Sequence, residues 1–326
     1  MFEFLIKKLK AHPRKIVFTE GTDARILEAS ARLLSGTFLT PVLVGNAEEI
    51  QAAAEEIGFN IRGAEIIDPA TFADMDKMVA TMVELRKGKM TEEQCRAALK
   101  QGNYFGTMLV KMGYADALLG GATYSTADTV RPALQIIKTK PGSKIVSSCF
   151  ILVRPSATGD REVLAMADCA INIKPTEDEL VEIALETAAT AKVFGIDPKV
   201  AFLSYSTMGS GKGEDVDKMR NAFQKAHAAA PELAMEGELQ FDAAVSPTVA
   251  HTKCPNSTVA GHANTFIFPD INAGNIGYKI CQRMGSFDAY GPILQGLNAP
   301  INDLSRGCNA QEVYSMAIIT AGLCED

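Results

Sequence analysis

No apolar run in this sequence approaches the roughly 18–20 residues that a membrane-spanning helix needs. The opening "MFEFLIKKLKAHPRK" also lacks the apolar stretch that follows the basic residues of a secretory signal. A basic surplus is missing as well: 32 Lys and Arg stand against 39 Asp and Glu, a formal net charge of -7. A broad nucleic-acid-binding face is therefore not expected, and any anionic ligand must be held by a few focused cations. The seven cysteines (Cys95, Cys149, Cys169, Cys254, Cys281, Cys308 and Cys324) form no CxxC pair and no zinc-finger spacing with histidine. They read as inert thiols of a reducing compartment, so the expected location is cytoplasmic.

Several common signatures are absent too. "SYSTMGSGKGED" has the look of a phosphate loop, but a Walker motif wants Gly six residues before the Lys, and Ser206 stands there. The same stretch fails GxGxxG because Glu214 occupies the third glycine position. No GxSxG elbow occurs. The four histidines (His12, His227, His251 and His262) do not pair as metal ligands, and no metal is expected. Their plain reading is surface or core histidine, although His251 and His262 flank a Cys/Pro loop and stay open as substrate contacts.

What is present is alternation. Short β-rich runs such as "KIVF" (15–18), "TPVLVGN" (40–46), "ADALLGG" (115–121), "KVAFLSYST" (199–207) and "NTFIFPD" (264–270) alternate with segments of helical apolar spacing. "TEDELVEIALETAATAKVFG" (176–195) opens with capping-box spacing. A helix is expected over 126–139 with Pro132 in its first turn, a last strand over 290–296, and a final helix from Asn309 to about Leu323. Strand–helix alternation argues for parallel sheets covered by helices, an α/β class. The 326 residues suit about two domains. A seam near "KPGSK" gives residues 1–143 plus 300–326 as a first unit and 144–299 as a second.

In open α/β sheets ligands bind beyond the carboxyl ends of strands. Three expected strand exits carry suitable groups: "LLGGATYSTADTVRP" with Ser125, Thr126 and Arg131; "FPDINAGNIGYKICQR" with Asn275 and Arg283; and "LQGLNAPINDLSRGC" with Ser305 and Arg306. Hydroxyls and arginine forks suit a phosphate. Singly, each also reads as a helix cap or a solvated ion pair; their recurrence at corresponding points favours a site.

The stretches "VELRKGK", "TVRPALQIIKT", "GELQFDAAV", "FIFPDINAGNIGYKICQR" and "PINDLSRGC" closely resemble the phosphate acetyltransferase (phosphotransacetylase) family, in the same order and over essentially the whole chain. The resemblance implies two αβα-sandwich domains with an interdomain cleft, like isocitrate and isopropylmalate dehydrogenases. It also implies an acyltransferase of acetate metabolism that interconverts acetyl-CoA plus phosphate with acetyl phosphate plus CoA. A cytoplasmic homodimer is expected, without metal or tightly bound cofactor, and with coenzyme A, acetyl phosphate and phosphate as its small-molecule partners.

Carried across, the family's functional residues fall on Ser305 and Arg306, on Arg86, Arg131 and Arg283, and on Glu312. Glu312 stands where the family typically has aspartate, and Asn309 with Glu312 also has capping-box spacing, so base and helix cap both stay open. Ser125 and Thr126 would be uncharged partners of the phosphoryl group, and Arg86 and Arg283 peripheral cations for coenzyme A phosphates or the cleft. Other readings are a longer-chain acyl phosphate, a non-catalytic regulatory module, and a decarboxylating dehydrogenase. The last needs a cluster of metal-binding aspartates that the sequence does not show.

Overall fold

The computed structural model describes residues 2–156 and 159–325. Its backbone falls into two compact units, Met1–Gly142 with Leu297–Asp326 and Ser143–Gly296. Leu297 goes with the first unit because it bridges Thr139, and the Asn298 N–H donates to the Lys138 carbonyl.

The first unit is built on runs whose side chains are buried on both sheet faces, the pattern of a parallel sheet between helices. Its strands are β1 (Arg14–Phe18), β2 (Leu39–Val44), β3 (Glu65–Ile67), β4 (Ala117–Gly120) and β11 (Ile301–Asp303). They lie in the order β11-β4-β1-β2-β3, and every pairing is parallel. The helices of this unit are α1 (Glu3–Ala11), α2 (Ala24–Gly36), α3 (Ala47–Glu56), α4 (Met75–Arg86), α5 (Glu92–Ala98), α6 (Gly102–Lys111), α7 (Thr126–Pro132) and α13 (Ala310–Gly322). Local chemistry fixes their starts. The Asp23 carboxylate caps α2, Asn46 caps α3, and full capping boxes open α5 at Thr91 and α13 at Asn309.

Pro132 is not in a first turn, as its sequence position suggested. It is the last residue of α7, and the chain continues as a π turn over Ala133–Ile137. Proline has no N–H to donate and its ring crowds the preceding turn, so the helix widens there.

The second unit carries β5 (Ser147–Pro155), β6 (Arg161–Ala167), β7 (Val200–Leu203), β8 (Met235–Leu239), β9 (Thr265–Ile267) and β10 (Asp288–Gln295), in the order β10-β5-β6-β9-β7-β8. Its helices are α8 (Glu177–Val193), α9 (Glu214–Ala229), α10 (Phe241–Val245), α11 (Pro247–Lys253) and α12 (Ile271–Met284). The sheet is mixed, where alternation alone suggested parallel pairing throughout. β10, β5 and β6 run antiparallel to their neighbours in that trio, while β6, β9, β7 and β8 pair in parallel. β5 and β6 follow one another without an intervening helix, so they pair as a hairpin. The run 290–296 is also not the last strand; β11 follows it and joins the other unit's sheet.

No helix among the described residues is long and apolar enough to cross a membrane.

Candidate functional site

Parallel neighbours deliver their carboxyl ends to the same sheet edge, and the order β11-β4-β1 sets three exit loops side by side. These are Thr19–Asp23 after β1, Gly121–Ser125 after β4, and Leu304–Asn309 after β11. Six of the eight residues singled out in the sequence, Ser125, Thr126, Arg131, Ser305, Arg306 and Glu312, lie on the second and third exits or on the helices they open.

Side-chain bonds stitch the exits together. Asp303 closes β11 and is 2% exposed; its carboxylate accepts Thr126 Oγ1 at 2.6 Å and Thr129 Oγ1 at 2.5 Å, fixing the start of α7 against the strand that leads to Ser305. Glu20, after β1, accepts the backbone N–H groups of Gly121 and Thr123 at 3.1 Å each. Arg25 spans all three loops. Its guanidinium donates to the carbonyls of Arg306 (2.9 Å), Cys308 (3.2 Å) and Ala122 (2.9 Å) while paired with Asp23 at 2.8 Å. That pairing holds the Asp23 carboxyl below its usual range. Burial pushes both Glu20 and Asp303 above theirs.

On this frame the polar tips face outward. Ser305 and Arg306 are exposed, and the Ser305 hydroxyl accepts the Gly307 N–H at 3.3 Å. Arg131 is exposed and pairs loosely with Asp128 at 3.4 Å, and Ser125 donates to that same aspartate at 2.7 Å. Glu312 completes the cap of α13: its Oε2 accepts the Asn309 N–H at 2.9 Å, and its own N–H donates to Asn309 Oδ1 at 2.9 Å. Thr126 is committed to Asp303, so its hydroxyl proton is already spent.

The two remaining arginines belong to other elements. Arg86 ends α4, and its Nε–H is buried without a hydrogen-bond partner among the described residues. Such an orphaned donor is costly unless an acceptor arrives. Arg283 is exposed in the last turn of α12, in the second unit. That unit also holds a pocket of about 360 Å³ beyond β7 and β9, lined by Tyr205, Phe241, Phe268 and Asp270 among others.

Sequence reasoning missed Arg25, Glu20 and Thr129. Arg25 occupies a polar position of the amphipathic helix α2, where helical spacing does not single it out. The available signal was Asp23 two places earlier, a cap whose carboxylate also turns the guanidinium back toward the strand exits.

The arrangement suits an anion flanked by an acyl carbonyl: cationic tips and a hydroxyl on loops that buried carboxylates and Arg25 hold rigid.

Comparison with known proteins bears on the chain as a whole. A family model described as phosphate acetyl/butaryl transferase matches residues 1–321. The chain is 54% identical over 321 residues to the phosphate acetyltransferase of Bacillus subtilis strain 168, covering 98% of each sequence. A phosphotransacetylase from Streptococcus pyogenes superposes with a TM-score of 0.94 at 55% identity, covering 98% of this chain and 97% of that one. A protein described as a 4-hydroxythreonine-4-phosphate dehydrogenase from Salmonella typhimurium is 12% identical with a TM-score of 0.55, a likeness of fold alone.

Proposed function

We propose, proceeding from the premise that this chain belongs to the phosphate acetyl/butaryl transferase family, that its acetyl transfer runs by direct attack of the coenzyme A thiolate on acetyl phosphate in a ternary complex. The reaction is that of a phosphate acetyltransferase, acetyl-CoA + phosphate = acetyl phosphate + CoA, with coenzyme A as a substrate. In the direction of thioester formation the sulfur lone pair attacks the acetyl carbonyl carbon. The C–S bond forms, the C–O bond to phosphorus breaks, and phosphate leaves with the electron pair.

Ser305 donates its hydroxyl proton to the carbonyl oxygen as charge grows there, a contribution of roughly 3–4 kcal/mol for one such donor. Arg306 sits beside it to bridge oxyanion and phosphate, and Arg131 takes the phosphoryl oxygens with Ser125, whose hydroxyl must turn from Asp128 to reach them. Arg86 acts on coenzyme A, where its orphaned Nε–H favours an acceptor on that ligand, and Arg283 serves as a peripheral cation of the second unit.

The thiol proton goes to Glu312. An ordinary glutamate lies about 4 pKa units below a thiol, roughly 6 kcal/mol against the transfer. The cations beside the sulfur and the exclusion of water on binding must offset that gap.

One observation carries direct transfer over a covalent acyl-serine. A serine nucleophile needs a neighbouring base, whereas Ser305 Oγ meets the Gly307 N–H and no carboxylate or histidine among the described residues. The test is rapid quenching with acetyl phosphate in the absence of coenzyme A. No burst of phosphate stoichiometric with enzyme is expected; a burst would establish the covalent route instead.

The unpaired cysteines, all free among the described residues, support a cytoplasmic location. The family likeness supports a homodimer.

A further inference from the structure

The loop that carries Ser305 and Arg306 is a β-turn gripped from one side by a single guanidinium. The Cys308 N–H donates to the Ser305 carbonyl at 2.9 Å, which puts Arg306 and Gly307 at the two central positions of the turn. Arg25 has five N–H groups, and each finds an oxygen. Its Nε and Nη2 donate to the two oxygens of Asp23 at 2.9 and 2.8 Å, and Nη2 also donates to the Ala122 carbonyl at 2.9 Å. Its Nη1 donates to the carbonyls of Arg306 at 2.9 Å and of Cys308 at 3.2 Å. The fork is therefore fully engaged by the protein itself.

The Arg306 carbonyl belongs to the central peptide of the turn, and that peptide decides the turn type. A trans peptide is planar, so its C=O and N–H point opposite ways. With the Arg306 carbonyl on Arg25, the Gly307 N–H faces away from the guanidinium and donates to Ser305 Oγ at 3.3 Å. Types I and II differ by reversal of this one peptide. Type II requires a positive φ at the second central residue, which glycine adopts without strain. Gly307 nevertheless stands outside the left-handed region, and a Cβ built on it meets only Ser305 Oγ, at an ordinary 3.8 Å. The turn as it stands does not need glycine; the reversed turn does. What opposes the reversal is the bond from Arg25 to the Arg306 carbonyl.

We propose that Arg25 is a positioning residue: by holding the Arg306 carbonyl it keeps the central peptide from reversing, and so keeps the Gly307 N–H on the Ser305 hydroxyl. Arg25 touches no substrate and moves no proton in this scheme. Its effect reaches the chemistry through Ser305. With its oxygen accepting the Gly307 N–H, the hydroxyl keeps its own proton for the substrate carbonyl, and the amide polarises that donation as charge grows. In the reversed turn Oγ loses the N–H, and the Arg306 carbonyl takes its side as a competing acceptor for the Ser305 proton. Asp23 aims the fork through its two-point pairing, and the same carboxylate caps α2, so the helix start and the turn share one anchor.

The functional half of this inference rests on the role proposed for Ser305, so the test reads the turn as well as the rate. Arg25→Lys keeps the cation but not the planar fork. Its kcat should fall about tenfold to a hundredfold, with KM for coenzyme A within about threefold of wild type. In the Gly307→Ala background, alanine resists the positive φ of the reversed turn. There the same Arg25→Lys change should cost about threefold or less, whereas an arginine that only supports the fold costs as much in one background as in the other. Asp23→Asn keeps the cap of α2 and loosens only the hold on Arg25. It should repeat the pattern with a smaller loss, and it serves if Arg25→Lys does not fold.

A crystal structure of full-length Arg25→Lys gives the direct reading, and it stands even if Gly307→Ala is itself inactive. Gly307 at positive φ, or divided between the two turns, is expected. An Arg306–Gly307 peptide unmoved in that structure, or equal losses of kcat from Arg25→Lys in the two backgrounds, would overturn the proposal. A reversed peptide beside a Ser305→Ala variant of wild-type kcat would leave the control of the turn by Arg25 standing and remove only the catalytic role of Ser305.

Discussion

Arg25 and Glu312 show how one residue can serve the frame, the chemistry or both. Arg25 spends its fork on an adjacent carboxylate and on carbonyls of two loops, a task that needs a planar multi-donor group and that lysine's point charge cannot repeat. Glu312 is spent at least partly on the helix cap, and the substitution that separates its two roles is Glu312→Gln. Glutamine serves a capping box as well as glutamate does, so thermal unfolding should stay within about 0.5 kcal/mol of wild type. It cannot accept the thiol proton, so kcat should fall about a hundredfold to ten-thousandfold. If kcat barely moves while Glu312→Ala loses stability, Glu312 is a cap and nothing more.

Legibility at this scale followed local pattern. Ser305 and Arg306 stood out because neither helix nor strand needs that pair after a strand. Arg25, Glu20 and Thr129 did not, because their partners lie roughly a hundred or more residues away, and spacing along one segment carries no record of such partners.

Elements were legible where a single segment decides them. The capping boxes at Thr176 and Asn309 form as their spacing requires, with both reciprocal bonds present. What failed needed a partner strand. β11 has three residues and is stable only as the edge of a sheet whose other strands lie far back in the chain. β5 and β6 break the strand–helix alternation that suggested parallel pairing.

An ion pair in the second unit carries a test at the same scale. The Glu238 side chain is 1% exposed; Arg220 Nε lies 2.9 Å from it, Gly209 N–H 2.7 Å and Ser206 Oγ 2.8 Å. Burial alone would raise this carboxyl, but Arg220 and these donors bring it below the ordinary range. A lowered native pKa means the stabilisation is present above the unfolded value, near pH 4.3, and is lost as pH falls through the native one. Removing one partner of a buried pair costs about 3–5 kcal/mol, and toward 2–3 where, as with Arg220, one side is a third exposed. Arg220→Ala should therefore unfold at lower denaturant by that amount at neutral pH, with the deficit shrinking as the solution is acidified below pH 4. A deficit independent of pH would assign the loss to packing of the arginine stem rather than to its charge.

The molecule's connectivity places the proposed chemistry on a unit whose sheet takes its edge strand from residues 297–326. β11 forms the edge of the first sheet, and α13 packs on α1, α2, β1 and β4, all from the opening half of the sequence. Val313, Met316, Ile318 and Ile319 of α13 are at most 4% exposed, and a side chain at Gly322 would press on Leu5 of α1. Lys8 Nζ closes the contact by donating to the carbonyls of Gly322 (3.2 Å) and Cys324 (2.7 Å). Full burial of a side chain of this size is worth about 1.5–3 kcal/mol. Those four alone then supply roughly 6–12 kcal/mol, comparable with the whole stability of an ordinary domain, about 5–15 kcal/mol.

A chain ended at Gly296 should accordingly lose the first unit while keeping the sheet and helices encoded wholly within 143–296. Hydrogen exchange by mass spectrometry would show amides of β1, β2 and α2 unprotected and those of α8 and β7 still slow, with no acetyl transfer. Were β1 and α2 to stay protected without the last thirty residues, the first unit would owe its stability to α3–α7 rather than to the returning segment. The loop bearing Ser305 and Arg306 would then be an appendage to a preformed sheet, whereas the packing described here makes it part of what closes that sheet.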